Sequence, residues 1–491
     1  MHRFAITILT AVAGFAALNL PSMLQAESLS LEVAVQKTLS QNPEIQAEAI
    51  ERLIQKQSIV LEESRFDPSL FANMERRTQR DPSLTEDPNS TQLATGLRKL
   101  LSSGANVTLQ TRYGRDENAI TSSTIPLNEN SHSARLSIEL RQPLLKGLGQ
   151  AVSRAGIRKA QTQLLAAELL YKSALAESIS QTEQAYWQVS FQQARLELSH
   201  SSIQLAQNLL SETEKKEQQG IANRLDLLQA QANLANQQEQ HIDAASSLDL
   251  ARDHLGYLMG SLSQDLQSLP LSVAALPDPG WQAPSLGELW PRVVEKDFNL
   301  RIKEAQLEAL GYDHLRAKDE KRAELDLILS ATSYGLSDRS ANQAWDDMGS
   351  GKSGDWKVGV EYTLPIGQRG GRARLTQVQA QIAQAKLRMS AAEQQLLQEA
   401  RSQLRSYASS REKLHAARIS LELEKQAFRQ AQLKYSEGMA TFLEIQQAQE
   451  SLNRAELNEL SARLAALKAQ SELFRLDGSL LERYRISVSE S

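Results

Sequence analysis

The sequence contains no cysteine. Disulfides, thiolate metal sites and cysteine nucleophiles are therefore excluded, and so is an N-terminal lipid anchor, which needs a cysteine after the cleavage site. Aromatic residues make up only 5%, and glycine (23) and proline (13) are sparse for 491 residues. Scarce turn formers favour a few long elements over many short ones. Charge of neither sign dominates, and a net charge of −5 gives no reason to expect nucleic acid. Beyond the N-terminus no apolar run is long enough to cross a bilayer as a helix. The histidines, among them His132, His200, His241, His254, His314 and His415, are scattered without metal-ligand spacing, and neither GxSxG nor a phosphate-binding loop occurs. The glycine-rich stretch Gly367 to Gly371, with Arg369, Arg372 and Arg374 close by, fits a strand-to-helix junction better than a phosphate cradle. No catalytic constellation, cofactor or metal site is expected.

What is present begins with an export signal. His2 and Arg3 form a short basic region, Phe4 to Leu20 is apolar, and Pro21 breaks the run. Leu24-Gln25-Ala26 offers a cleavage site, with Leu instead of a small residue three before the cut. A retained membrane anchor is the alternative, but the apolar run is short for one. An exported chain without a later spanning helix is either soluble outside the cytoplasm or enters an outer membrane as β-strands. The bulk of the chain is rich in Ala, Gln, Leu, Glu, Arg and Ser, a composition suited to long helices with polar faces.

The chain also repeats itself. Gly220-Ile221-Ala222-Asn223-Arg224-Leu225-Asp226-Leu227 lines up with Gly438-Met439-Ala440-Thr441-Phe442-Leu443-Glu444-Ile445. At the same spacing Thr182, Val189, Leu196, Ile203 and Leu210, which recur every seven residues, fall on Ala400, Tyr407, Leu414, Leu421 and Phe428. A second seam, Ile179 and Tyr186, falls on Leu397 and Leu404. A seven-residue step keeps one helix seam against a partner in a left-handed coil. Strands repeat as well. Ala134, Leu136, Ile138 and Leu140 alternate with Arg135, Ser137, Glu139 and Arg141 before Pro143. Trp356, Val358, Val360 and Tyr362 alternate with Lys357, Gly359 and Glu361 before Pro365, and period-two alternation puts one set on each face of a sheet. Leu93 to Leu97 and Val107 to Thr111 flank Ser102-Ser103-Gly104 and read as another hairpin. Ser30-Leu31 with Asn42-Pro43-Glu44, and Ser285-Leu286 with Asp297-Phe298-Asn299, open the two halves. The expected plan is residues 1–26 signal peptide, 27–269 first repeat, 270–284 a proline-rich linker, 285–482 second repeat and 483–491 a tail. Long helices over about 151–218 and 371–436 would each reach roughly 100 Å at 1.5 Å per residue.

Two tandem repeats of helix, β-hairpin, long helix, turn and returning helix behind a signal peptide resemble the TolC-like outer-membrane efflux proteins. The motifs that carry the resemblance are the repeat opening from Ser30 to Glu44, the junctions Gln142-Pro143-Leu144-Leu145-Lys146-Gly147-Leu148-Gly149 and Leu364-Pro365-Ile366-Gly367, and the duplicated Gly-x-x-x-x-Leu-Asp/Glu turn. The resemblance implies a mainly α fold with a β-barrel portion. Three protomers would share one outer-membrane barrel, four strands from each making twelve, above a trimeric helical barrel in the periplasm. It implies a homotrimer in outer-membrane lipid, working with a periplasmic adaptor and an inner-membrane pump as the passive exit duct for efflux or type I secretion.

The resemblance also gives roles to residues. Gly220, Leu225, Asp226, Gly438 and Leu443 would form periplasmic tip turns that dock the adaptor, against the plainer reading of helix caps. Glu444 and Gln447 fall where the family carries an acidic constriction, only Glu444 being acidic here. The family's basic gate-linking position falls on Ala440. Leu136, Ile138, Leu140, Val358 and Val360 would face lipid, and Arg135, Glu139, Arg141, Lys357 and Glu361 the lumen; a half-buried sheet in a soluble protein gives the same alternation. The hairpin around residues 91–130 either adds barrel strands or forms an external loop. Periplasmic adaptor and soluble coiled-coil scaffold are the competing functions. Strands ahead of both long helices argue against the scaffold, and two equivalent halves argue against the adaptor.

Overall fold

The computed structural model describes residues 29–78, 89–117, 130–261 and 272–486; the expected signal peptide, cleavage site and end of the tail lie outside them. The chain packs as two compact units. One comprises the chain up to Lys37, Thr182–Asp278 and Ala417–Leu464, and the other Thr38–Gln181, Pro279–Ala416 and Ala465–Ser491.

The duplication is legible element by element. Helices α1 (Leu31–Gln41) and α2 (Pro43–Glu63) precede strands β1 (Ser69–Thr78), β2 (Asn89–Leu100), β3 (Asn106–Glu117) and β4 (Asn130–Pro143). A short α3 (Gln150–Ser153) leads into α4 (Ala155–Gln218), which turns back as α5 (Arg224–Leu258). The second half runs α6 (Leu286–Lys296), α7 (Phe298–Glu320), β5 (Glu324–Ser337), α8 (Ala341–Gly349), β6 (Gly354–Thr363), α9 (Arg369–Ser436) and α10 (Phe442–Leu476), with α11 (Ser479–Arg483) at the end. Both returning helices have 35 residues. Among the described residues no helix is long and apolar enough to cross a membrane.

Matching side chains start the matching helices. Asn42 accepts the Glu44 N–H at 2.8 Å, and Asp297 accepts the Leu300 N–H at 2.7 Å. Ser30 accepts the Val33 N–H, while the Ser285 N–H donates to Glu288. Each contact satisfies a backbone donor that a helix start leaves open. The seams bury in part: Thr182, Val189, Ala400, Tyr407 and Ile179 are fully or nearly fully enclosed, whereas Leu196, Ile203, Leu210, Leu397, Leu404 and Leu421 are half-buried. In the first unit Tyr186, Val189, Leu248, Leu255 and Met259 pack with Leu29 and Val273. The Tyr186 hydroxyl donates to the Leu29 carbonyl at 2.7 Å and accepts the Ala274 N–H at 3.0 Å. In the second unit Leu289, Val293, Leu300, Leu396, Tyr407 and Leu473 form the core, with Trp281 against Tyr407 and Phe474. The proline-rich segment is thus held against helices by two buried tyrosines, since Tyr407 also donates to the Trp281 carbonyl at 2.5 Å.

The described residues hold six strands, two more than the four per protomer of the plan that the resemblance implies, and they form one antiparallel sheet in the order β1-β2-β3-β4-β5-β6. The hairpin read around residues 91–130 is β2 and β3, and both are full members, paired along their length. Its turn is tied down at the end of the sheet where the long helix begins. The Gly149 N–H donates to the Ser103 carbonyl at 3.0 Å, and a side chain at Gly104 (φ +91°) would start 2.2 Å from the Gly147 carbonyl. Gly104→Val should therefore cost about 2 kcal/mol or more from strain and collision, and thermal melting of the detergent-solubilised protein should show it as a lowered midpoint.

Candidate functional site

Two places collect the residues singled out from the sequence: the helix turns and the sheet. At both turns the long helix ends in a glycine of left-handed conformation, Gly220 at φ +72° and Gly438 at φ +77°. The Ile221 N–H reaches back to the Lys216 carbonyl and the Met439 N–H to the Lys434 carbonyl, both at 2.8 Å. The Gly220 and Gly438 N–H groups close the inner ring on Glu217 and Tyr435. This arrangement satisfies the last carbonyls of a helix and needs a residue without a Cβ penalty.

The acid that follows each turn has a local explanation. Asp226 and Asn223 cap one another's backbone N–H groups at 3.1 and 2.9 Å. Glu444 accepts the Thr441 N–H at 2.7 Å, and Thr441 accepts the Glu444 N–H at 3.3 Å. Both acids thus complete a reciprocal cap at a helix start. The backbone and hydroxyl hydrogen bonds from Thr441 hold the Glu444 carboxyl below the ordinary glutamate value. Glu444 and Gln447 are both exposed. So are four apolar side chains around the turns: Ile221 (65%), Leu225 (60%), Met439 (67%) and Leu443 (50%).

Sequence reasoning missed a clasp beside these turns. Leu209 of α4, Ala230 of α5, Phe428 and Tyr435 of α9 and Phe442 and Ile445 of α10 form one cluster. At its edge the Tyr435 hydroxyl lies 2.8 Å from Thr213 Oγ1, and Thr213 is fully buried. The Thr213 proton goes to the Leu209 carbonyl at 2.7 Å, so Tyr435 is the donor. Lys216 donates to the Tyr435 carbonyl, and its Nζ lies 3.5 Å from the tyrosine ring centroid. The available signal was a break in the repeat: Tyr435 stands where the first half has Glu217.

In the sheet, register sorts the residues as their alternation predicts. Leu70, Leu97, Leu109, Ile138, Ala331 and Trp356 form one row across all six strands. Leu136, Leu140, Val358 and Val360 share that face, and Val358 and Val360 are 58% and 65% exposed. The neighbouring row, Phe71, Gly96, Gln110, Ser137, Thr332 and Asp355, lies on the opposite face. That face carries Arg135, Glu139, Arg141, Lys357 and Glu361, and there Arg141 bridges Asp326 at 3.0 Å and Glu361 at 2.9 Å. Trp356 and Tyr362 stand six residues apart on β6, roughly 20 Å along a strand, with the valines between them. Helix α8 lies on the apolar face at its outer end, where Trp345 stacks on Tyr113 at 6.4 Å. Ala344 is fully buried there, because Gly335 leaves no room for a Cβ. An exposed apolar band with an aromatic residue near each end of β6, backed by a polar face, is the pattern that a membrane β-barrel wall requires.

A family model described as outer membrane efflux protein matches residues 106–261 and 294–479. The chain belongs to the outer-membrane efflux protein family. It is 25% identical over 408 residues to the outer membrane protein TolC of Escherichia coli (strain K12), covering 79% of this chain and 76% of that protein. It is 24% identical over 331 residues to the proteases secretion protein PrtF of Dickeya chrysanthemi, covering 67% and 69%. A solved structure of the outer-membrane channel OprN shares the fold with a TM-score of 0.69 at 20% identity, over 91% of this chain and 89% of that one. This efflux protein is accordingly an outer-membrane channel-tunnel subunit whose helices extend into the periplasm. Its relatives are channels and secretion proteins, not enzymes.

Proposed function

We propose that three copies of the chain form the passive exit duct of a tripartite efflux or type I secretion system, closed and docked at the tip turns. The observation that carries this reading is the sheet: one broad apolar face is exposed, one face is polar, and both edges are open. In a bilayer open strand edges leave backbone groups unsatisfied, so such a sheet must close on other copies. A soluble scaffold has no use for that face. The apolar faces of the strands then meet lipid, while Arg135, Glu139, Arg141, Lys357 and Glu361 line water. Light scattering on detergent-solubilised protein should give the mass of three protomers; a monomer stably inserted in outer membrane overturns the assembly.

At the tips the exposed Ile221, Leu225, Met439 and Leu443 form the surface that meets a periplasmic adaptor, and an inner-membrane pump supplies the energy. Asp226 and Glu444 cap the helices behind them. Glu444 has a second role as a ring of three carboxylates at the constriction, with Gln447 on its inner side. Glu444→Gln should leave trimer formation intact and reduce cation selectivity severalfold in planar bilayers. Capping bonds hold the carboxyl below its usual value, which opposes the rise that three facing carboxylates cause. Unchanged selectivity in an open Glu444→Gln channel reduces the residue to its cap.

A further inference from the structure

The two repeats are not equal in the sheet, and the inequality has a place. In the second half β5 follows α7 directly, pairs with β6, and β6 leads into α9. By position β1 corresponds to β5 and β4 to β6. In the first half, however, β1 and β4 are not neighbours, because β2 and β3 stand between them. The family match begins only at residue 106, the first residue of β3, so β1 and β2 lie outside it.

We infer that β2 and β3 are wall strands of the outer-membrane barrel, which therefore closes with eighteen strands. The inference rests on the trimer proposed above. Three features make the hairpin wall and not an external flap. Its alternation is that of the rest of the sheet, with Leu93, Leu97 and Leu109 on the apolar face and Gln92, Gln110 and Arg112 on the polar one. On its polar face Leu100, at the inner end of β2, is the single large apolar side chain, and Gln92, Arg98, Thr108, Gln110 and Arg112 supply the polar groups that a water-filled lumen requires. Its inner turn is bonded to the strand-to-helix junction through Ser103 and Gly149, and Ser153 donates to the Ser102 carbonyl at 2.5 Å.

The edges suit closure by further copies. β1 and β6 have 10 residues each. In an antiparallel sheet of six strands the two edge strands run in opposite senses. The β6 edge of one copy and the β1 edge of the next therefore pair antiparallel, as every internal neighbour does. Six strands from each of three copies make eighteen. Barrel diameter grows roughly linearly with strand number, so this barrel is about one and a half times as wide as one of twelve, within the range where strands enclose an aqueous channel.

The absence of cysteine makes single-cysteine labelling free of background. In reconstituted trimers Gln92→Cys and Gln110→Cys should react with a water-soluble maleimide, whereas Leu97→Cys and Leu109→Cys should react only with a lipid-soluble one. In a second variant, residues 79–129 are replaced by Asn-Gly, which joins β1 directly to β4. Electron microscopy in nanodiscs should show its barrel at about two-thirds of the native diameter. Water-soluble labelling at all four positions, or equal diameters at three-protomer mass, overturns the inference. Split labelling with a mass other than three protomers instead fails the trimer reading, and the count of eighteen falls with it.

Discussion

Val360→Arg should nearly abolish assembled channel, whereas Gly359→Arg should leave it close to normal. Val360 lies on the apolar face, is 65% exposed in the single chain and pairs with Leu327. An arginine facing lipid near mid-bilayer costs about 2–4 kcal/mol per site, and three copies in one barrel multiply that to about 6–12 kcal/mol. The adjacent residue points the other way. At Gly359 a new Cβ would meet only the Lys357 side chain, at 3.8 Å, and an arginine can extend into the polar side beside Glu361. The measurement is the yield of heat-stable oligomer in the outer-membrane fraction at equal expression. Equal loss at both positions means that register does not separate lipid from lumen, and the sheet is then not a barrel wall.

How much of this was legible in the sequence follows from how local each feature is. The turns were, because the Gly-x-x-x-x-Leu-Asp/Glu pattern is a glycine-capped helix end followed by a reciprocal cap, and each of those is fixed within eight residues. The helices were, because a seven-residue step over nine turns leaves few alternatives. β4 and β6 were, through strict alternation. β5 was not, since Leu327, Ile328 and Leu329 are apolar in succession and hide its period; Ile328 sits on the polar face. β1 was not, because its apolar positions, Leu70, Ala72 and Met74, are interleaved with Phe71. Helix α8 was not, because its nine residues owe their position to a missing Cβ on the neighbouring strand, at Gly335, and to Tyr113, which is far away in sequence. Whether the Ser102-Ser103-Gly104 hairpin joined the sheet depended on pairing with β1 and β4, which no local pattern encodes. The clasp lay furthest from view, for Thr213 and Lys216 are more than two hundred residues from Tyr435.

That clasp carries the other large expected effect. If the tip opens by parting α9 and α10 from α4 and α5, Tyr435 resists it, because it joins the two pairs through its hydroxyl, its carbonyl and its ring. Burial, with the charges of Glu212 and Asp226 adding to it, holds the Tyr435 phenol above its ordinary value, so it remains a hydrogen-bond donor at every physiological pH. Tyr435→Phe removes one neutral hydrogen bond, worth about 1 kcal/mol, and leaves Thr213 bonded to Leu209. If the three protomers open together, the closed state loses about 3 kcal/mol, close to a 100-fold shift toward open. Lys216→Met should shift it further, since it removes a charged hydrogen bond and a cation–π contact in a side chain only 14% exposed. Single-channel recordings should therefore show rare openings in the native trimer, frequent ones in Tyr435→Phe and a mostly open channel in Lys216→Met. Melting temperature should barely move in the first variant, which separates gating from unfolding. Native conductance in Lys216→Met trimers would mean that the clasp stabilises the helix ends without controlling the gate.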